Sequence, residues 1–79
     1  MAQSLPNNQE AEQAVLGAML SNPKYAAKAL EELKPEDFFW ENNKEIFSAL
    51  ASLNDNLVPM DMVTLINELN RRGTLAAVG

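Results

Sequence analysis

Asn8-Gln9-Glu10-Ala11-Glu12-Gln13-Ala14-Val15-Leu16-Gly17, continued by Ala18-Met19-Leu20-Ser21, is the stretch from which the fold is read. Asn7 is placed to cap a helix here, with Glu10 at the third helical position as in a capping box. From Glu10 to Leu20 the apolar residues Ala11, Ala14, Val15, Leu16, Ala18, Met19 and Leu20 occupy most of the helix circumference. Glu10, Gln13, Gly17 and Ser21 leave only a narrow polar or small strip, and Glu12 interrupts the opposite side. A helix this apolar all round is packed on more than one side, so the pattern predicts a central helix with Leu16 or Leu20 nearly fully buried. Gly17 costs about 1 kcal/mol in a helix interior, which a close helix crossing at that point would explain.

Working outward, every signal is again helical. Asn22-Pro23 ends the first helix and starts a second, with Pro at the favoured first position. Ala26, Ala29, Leu30 and Leu33 then recur at i, i+3, i+4 and i+7, with Lys24, Lys28, Glu31 and Glu32 on the wet side. Pro35 closes this helix. Asn42 with Glu45 repeats the capping arrangement, and Ile46, Phe47, Leu50 and Leu53 form a third stripe. Asn54-Asp55-Asn56 and Pro59 make a loop. Asp61 caps a fourth helix whose stripe is Met62, Leu65, Ile66 and Leu69. Arg71 and Arg72 complement its C-terminal dipole, Gly73 is a natural residue just past its end, and Thr74 is placed to cap one more. No strand-type alternation appears. The spacing predicts an all-α domain with helices over 8–21, 23–33, 42–54 and 61–72 and a short one from Thr74.

Composition bounds the function. The chain has 79 residues, enough for one small domain, and such a domain buries only about 60–65% of its unfolded surface. Its hydrophobic content of 47% is more than so short a chain can hide, and exposed apolar patches usually mark contacts. There is no Cys, hence no disulfide framework and no hint of export. The start lacks a signal-peptide pattern and no apolar run approaches membrane length, so the expectation is a cytoplasmic protein. The net charge of −5, with six basic residues spread along the chain and only Arg71-Arg72 adjacent, argues against phosphate gripping and for protein partners.

The residues of catalysis are missing. Without His or Cys there is no Ser-His or Cys-His nucleophile and no Cys/His zinc site. Glycines at 17, 73 and 79 cannot compose a phosphate loop, and no Gly-Lys-Ser/Thr occurs. Asp55-Asn56 lacks the Gly and terminal Glu of a calcium loop. Glu31-Glu32 and Glu36-Asp37 read as a solvated face and a cap ahead of any acid-base role. Three of the five aromatic residues are consecutive, Phe38-Phe39-Trp40. The plain reading is that they cover the core where helices meet. The sharper one leaves a ring, Trp40 foremost, half exposed as a contact anchor, since three successive side chains cannot share one face. Met60 and Met62, flanking Asp61, divide the same way, with core favoured. Phe39, Trp40 and Met60 are the candidate protein-contact residues.

Taken in order, the motifs resemble the amino-terminal domain of bacterial replicative helicases of the DnaB family. The opening helix Asn8–Gly17 carries the resemblance first. Pro35-Glu36-Asp37-Phe38-Phe39, Ile46-Phe47, Val58-Pro59-Met60-Asp61 with Thr64-Leu65, Arg72-Gly73-Thr74-Leu75 and Val78-Gly79 follow in register. The resemblance implies a compact orthogonal bundle of four to five helices that forms the collar of a ring-shaped hexamer. Such a collar pairs with its counterparts and receives primase or a helicase loader. It also implies that a helical hairpin and a RecA-like motor using ATP and Mg lie beyond Gly79. DNA is then engaged only through the full-length protein, and the chain alone would form at most a weak dimer. It identifies no contact residue at a matched position. An acyl-carrier-like domain needs Asp-Ser-Leu at a helix start, and no serine here follows an aspartate. A small helical DNA-binding module is opposed by the acidic balance. The helicase-binding domain of primase is the nearest rival, against which stand the Glu-Ala-Glu-Gln opening and the Pro-Met-Asp loop.

Overall fold

The computed structural model describes residues 9–78 of the chain. The first helix, α1, spans Gln9–Ser21; the expected cap at Asn7 lies outside the described residues. Pro23–Glu32 form α2, a 3-10 turn follows at Pro35–Asp37, and α3, α4 and α5 span Glu41–Asp55, Met62–Arg72 and Leu75–Val78. Among the described residues there is no strand. The chain is all-α, as its periodicity predicts.

Local chemistry sets most of these boundaries. Asn22 Oδ1 accepts the N–H groups of Lys24 and Tyr25 at 3.0 and 3.2 Å, opening α2 behind Pro23. Asp61 Oδ1 accepts the Thr64 N–H at 2.9 Å and the Thr64 hydroxyl oxygen accepts the Asp61 N–H at 3.0 Å, a reciprocal capping box at the start of α4. Gly73, in the left-handed region at φ 76°, ends it.

The core centres on α3 and not on α1 as the sequence suggests. Phe47, Ala49, Leu50 and Leu53 of α3 are buried, and α3 packs against α1, the 3-10 turn, α4 and α5. From α1 come Leu16 and Met19, from α4 Leu65 and Leu69, and from the turn Phe38, whose ring lies 5.0 Å from that of Phe47. Ala26 and Ala29 are the buried face of α2, small enough for that helix to lie close against α1. Much of the apolar girth of α1 is only half buried or exposed, Ala14 included. The helix is packed on two sides yet is not enclosed.

Three further expectations are corrected. Asn42 does not cap α3: the helix starts one residue earlier, at Glu41, after an N-cap Trp40 that makes no side-chain cap bond. Gly17 marks no close crossing, since an added Cβ would meet nothing within 4 Å. Of the α4 stripe only Leu65 and Leu69 are buried, and Met62 and Ile66 are 57% and 42% exposed.

Candidate protein-contact site

The junction between the 3-10 turn and α3 lacks a local cap, and α1 supplies one. Glu12, fully buried, turns its carboxylate toward the start of α3. Its Oε2 accepts the Phe39 N–H at 2.7 Å, and its Oε1 accepts the Trp40 N–H at 3.3 Å and Asn43 Nδ2 at 2.9 Å. A carboxylate at a helix N-terminus also faces the positive end of the helix dipole. The one acidic residue on the apolar side of α1 is thus the cap of a helix some thirty positions on, and it satisfies buried donors that would otherwise be costly. Sequence reading took it for an interruption; the available signal was a lone glutamate on an apolar face with no basic residue three or four positions away.

Glu12 fixes the backbone from which the aromatic triplet projects. Phe38 points inward and is 1% exposed, while Phe39 and Trp40 are 57% and 39% exposed. The two outer rings meet edge to face at 5.4 Å and 82°, a favourable geometry for aromatic pairs. Phe39 is therefore the more open ring, where sequence reading favoured Trp40. Charged residues flank the pair: Glu36 and Asp37 precede it and Glu41 follows, paired with Lys44 at 3.2 Å. Met60, the third candidate, is half buried against the core and stands with Met19, Pro23, Leu57 and Val58 around a separate shallow recess. The structure brings Phe39 and Trp40 together and places Met60 elsewhere.

A second apolar surface is built from residues that the sequence pattern assigns to helix stripes, among them Met62, for which core is favoured over contact. A groove of about 400 Å³ runs between α1 and α4, walled by Leu16, Gly17 and Leu20 on one side and Met62 and Ile66 on the other, over Ile46. No charged side chain lines it; its polar members are the amides of Gln9, Gln13, Asn42 and Asn43.

Electrostatics point away from nucleic acid. Arg71, one of the adjacent basic pair, donates to Glu68 through Nε and Nη2 at 3.1 and 2.7 Å. Arg72 donates to Glu45 at 2.7 Å and to Ser48 at 3.0 Å, with Glu68 a further 3.6 Å neighbour. Glu45, expected to cap α3, also accepts the Thr74 hydroxyl at 3.0 Å, and so ties α3 to the start of α5. Hydrogen bonds from Arg71, its charge and that of Arg72, and a contact from Ser52 hold the Glu68 carboxyl below the usual carboxylate range against the opposing effect of burial. Both arginines are thus engaged by carboxylates. Among the described residues no group of three or more acidic or other metal-ligating side chains is placed to hold a metal ion, and no helix is long and apolar enough to cross a membrane.

Comparison with known proteins gives one consistent result. Residues 4–79 match the family model described as the DnaB-like helicase N-terminal domain. Over 74 residues, 94% of this chain, it is 42% identical to the replicative DNA helicase DnaC of Bacillus subtilis (strain 168) and to the replicative DNA helicase DnaB of Rhodothermus marinus. It is 38% identical to the replicative DNA helicase DnaB of Mycobacterium leprae (strain TN) over the same length. The chain spans only 16%, 8% and 12% of those three relatives. No solved structure gives a significant match.

Proposed function

The chain belongs to the family of DnaB-like helicase N-terminal domains, and from that premise we propose that it mediates subunit association in a hexameric replicative helicase and docks primase or a helicase loader at the fork. The chain itself is non-catalytic: it is an N-terminal domain only, and its relatives are helicases several times its length. In this reading ATP and magnesium belong to a motor region of the longer protein, DNA is engaged only by the assembled ring, and the domain acts in the cytoplasm.

The observation that carries the docking role is the Phe39–Trp40 pair. Two large rings stand outside the core, braced against each other on a backbone held by a buried carboxylate. Rigid, exposed aromatic side chains are the common anchors of protein interfaces. Of the triplet only Phe38 belongs to the core.

Titration of the 79-residue chain with the C-terminal domain of primase tests this directly. Trp40 is the only tryptophan of the chain and gives a local signal. Binding should move its emission, and Phe39→Ala should weaken the affinity by more than about tenfold, as loss of an anchor does. An unchanged emission spectrum with primase and loader alike would remove the support for docking.

A further inference from the structure

The N-cap of α3 is a tryptophan, and the way the helix manages without a local cap assigns a role to Glu12. The inference rests on the docking reading of the Phe39–Trp40 pair. Helix N-caps are ordinarily Ser, Thr, Asp or Asn, whose short side chains accept a nearby N–H. Asn22 and Asp61 do this at the starts of α2 and α4. Trp40 has no side-chain acceptor and makes no cap bond. Its N–H and that of Phe39 fall between two elements. The 3-10 turn ends with Phe38 N–H donating to Pro35 O at 3.1 Å, and α3 opens with Lys44 N–H donating to Trp40 O at 2.9 Å. Both leftover N–H groups are met from α1, Phe39 by Glu12 Oε2 and Trp40 by Glu12 Oε1.

A distant cap is a costly way to start a helix. Glu12 is fully buried, and among the described residues no Lys or Arg pairs with it. A buried carboxylate without a cation carries a larger desolvation penalty than a solvated Ser or Asp at position 40 would. Stability alone is served by the local cap. What the distant one makes possible is a ring at position 40 beside a ring at position 39, 39% and 57% exposed, on peptide groups that are both held. A carboxylate suits the task because it offers an acceptor oxygen to each N–H. A segment fixed before its partner arrives has less ordering left to lose on binding.

We infer that Glu12 is the positioning residue of the docking site, holding the peptide groups of Phe39 and Trp40 so that their rings meet a partner already oriented. Glu12→Gln tests this, since the amide keeps the shape but supplies one acceptor oxygen in place of two. In the folded variant, hydrogen exchange of the Phe39 and Trp40 amides should quicken by more than about tenfold beyond any change at Leu50 in the core of α3. Time-resolved anisotropy of Trp40 should gain a fast component. Affinity for the C-terminal domain of primase should fall by about fivefold or more. Phe39→Ala should then weaken binding less in the Glu12→Gln background than in the parent, because both changes act through the same rings. Gly73→Ala, destabilising but at the far end of α4, should leave the anisotropy and the affinity unchanged. Exchange that quickens equally at the pair and at Leu50, or losses that simply add in the double variant, would overturn the inference and leave Glu12 a structural cap. So would a Glu12→Gln chain that binds as tightly as a binding parent. Should Glu12→Gln fail to fold, Asn43→Ala withdraws only a donor from Oε1; it should show the same local changes at smaller size, and their absence would count equally against the assignment. A parent that binds neither primase nor loader removes the docking reading, while exchange and anisotropy still decide whether Glu12 holds the rings.

Discussion

The carboxylate of Glu12 accepts the backbone N–H of Phe39 at 2.7 Å across 27 positions of sequence, and so joins the first turn of α1 to the root of the exposed aromatic pair. The same group holds Trp40 N and Asn43 Nδ2. Glu12→Ala would leave these donors without their acceptor and should cost about 3 kcal/mol of stability in a urea titration. Glu12→Gln keeps the shape and one acceptor oxygen but turns an N–H toward a donor, so it should fall between. A Glu12→Ala chain that unfolds at the parent's midpoint would mean that the cap is replaceable by water.

Two helices end in the same motif with different residues. At the end of α3, Leu57 N and Val58 N donate to Asn54 O and Leu53 O at 3.1 and 2.9 Å; at the end of α4, Gly73 N and Thr74 N donate to Asn70 O and Leu69 O at the same distances. Both motifs need a left-handed residue, and Leu57 at φ 60° fills the role of Gly73 at φ 76°. Leu57 is also 91% exposed, so its side chain gives little in return for the strain. Leu57→Gly should stabilise the fold by about 1 kcal/mol, and Gly73→Ala should destabilise it by a similar amount. Thermal melts of the two variants should shift in opposite directions; a lower melting temperature for Leu57→Gly would show that this leucine packs more than its exposure implies.

Acid should weaken the ion pairs that close the last turn of α4. Arg71 and Arg72 hold the Glu68 carboxyl below the usual range, so its folded-state pKa lies under its unfolded one. The stabilisation is then complete above the unfolded glutamate value of about 4.3 and is lost as pH falls through the lower folded value. Glu68→Gln should flatten the decline in melting temperature below that point while leaving its slope at neutral pH unchanged. An acid limb identical in the two proteins would place the sensitivity in other carboxylates.

What could be read in the sequence was what is local. Asn22, Asp61 and Gly73 act within four residues of the backbone groups they satisfy, and the 3.6-residue period of α2 and α3 shows in any window of that length. Distant partners left no such trace. Asn42 with Glu45 has the form of a local capping box, yet the cap comes from Glu12, and Glu45 reaches Arg72 27 positions away. The centre of the core was misplaced for a related reason: periodicity gives the apolar girth of a helix but not how much of it another element covers. The apolar stripe of α4 includes Met62 and Ile66 on that basis, and they line an open groove instead.

Phe38 and Phe39 are adjacent in sequence and opposite in environment, which makes them a matched pair of substitutions. Phe38 is 1% exposed and stacks on Phe47 at the meeting of the 3-10 turn and α3. Its replacement by Ala should cost about 3–5 kcal/mol, close to the whole stability of about 5 kcal/mol at the lower end for a small domain. Phe39→Ala removes a ring that meets Trp40 edge to face, and an aromatic pair accounts for about 0.5–1.5 kcal/mol. Circular dichroism melts should show Phe38→Ala largely unfolded at room temperature and Phe39→Ala folded, with its far-ultraviolet spectrum unchanged. Equal destabilisation by the two substitutions would mean that the outer ring belongs to the core, and the exposed pair would then lose its claim as a contact anchor.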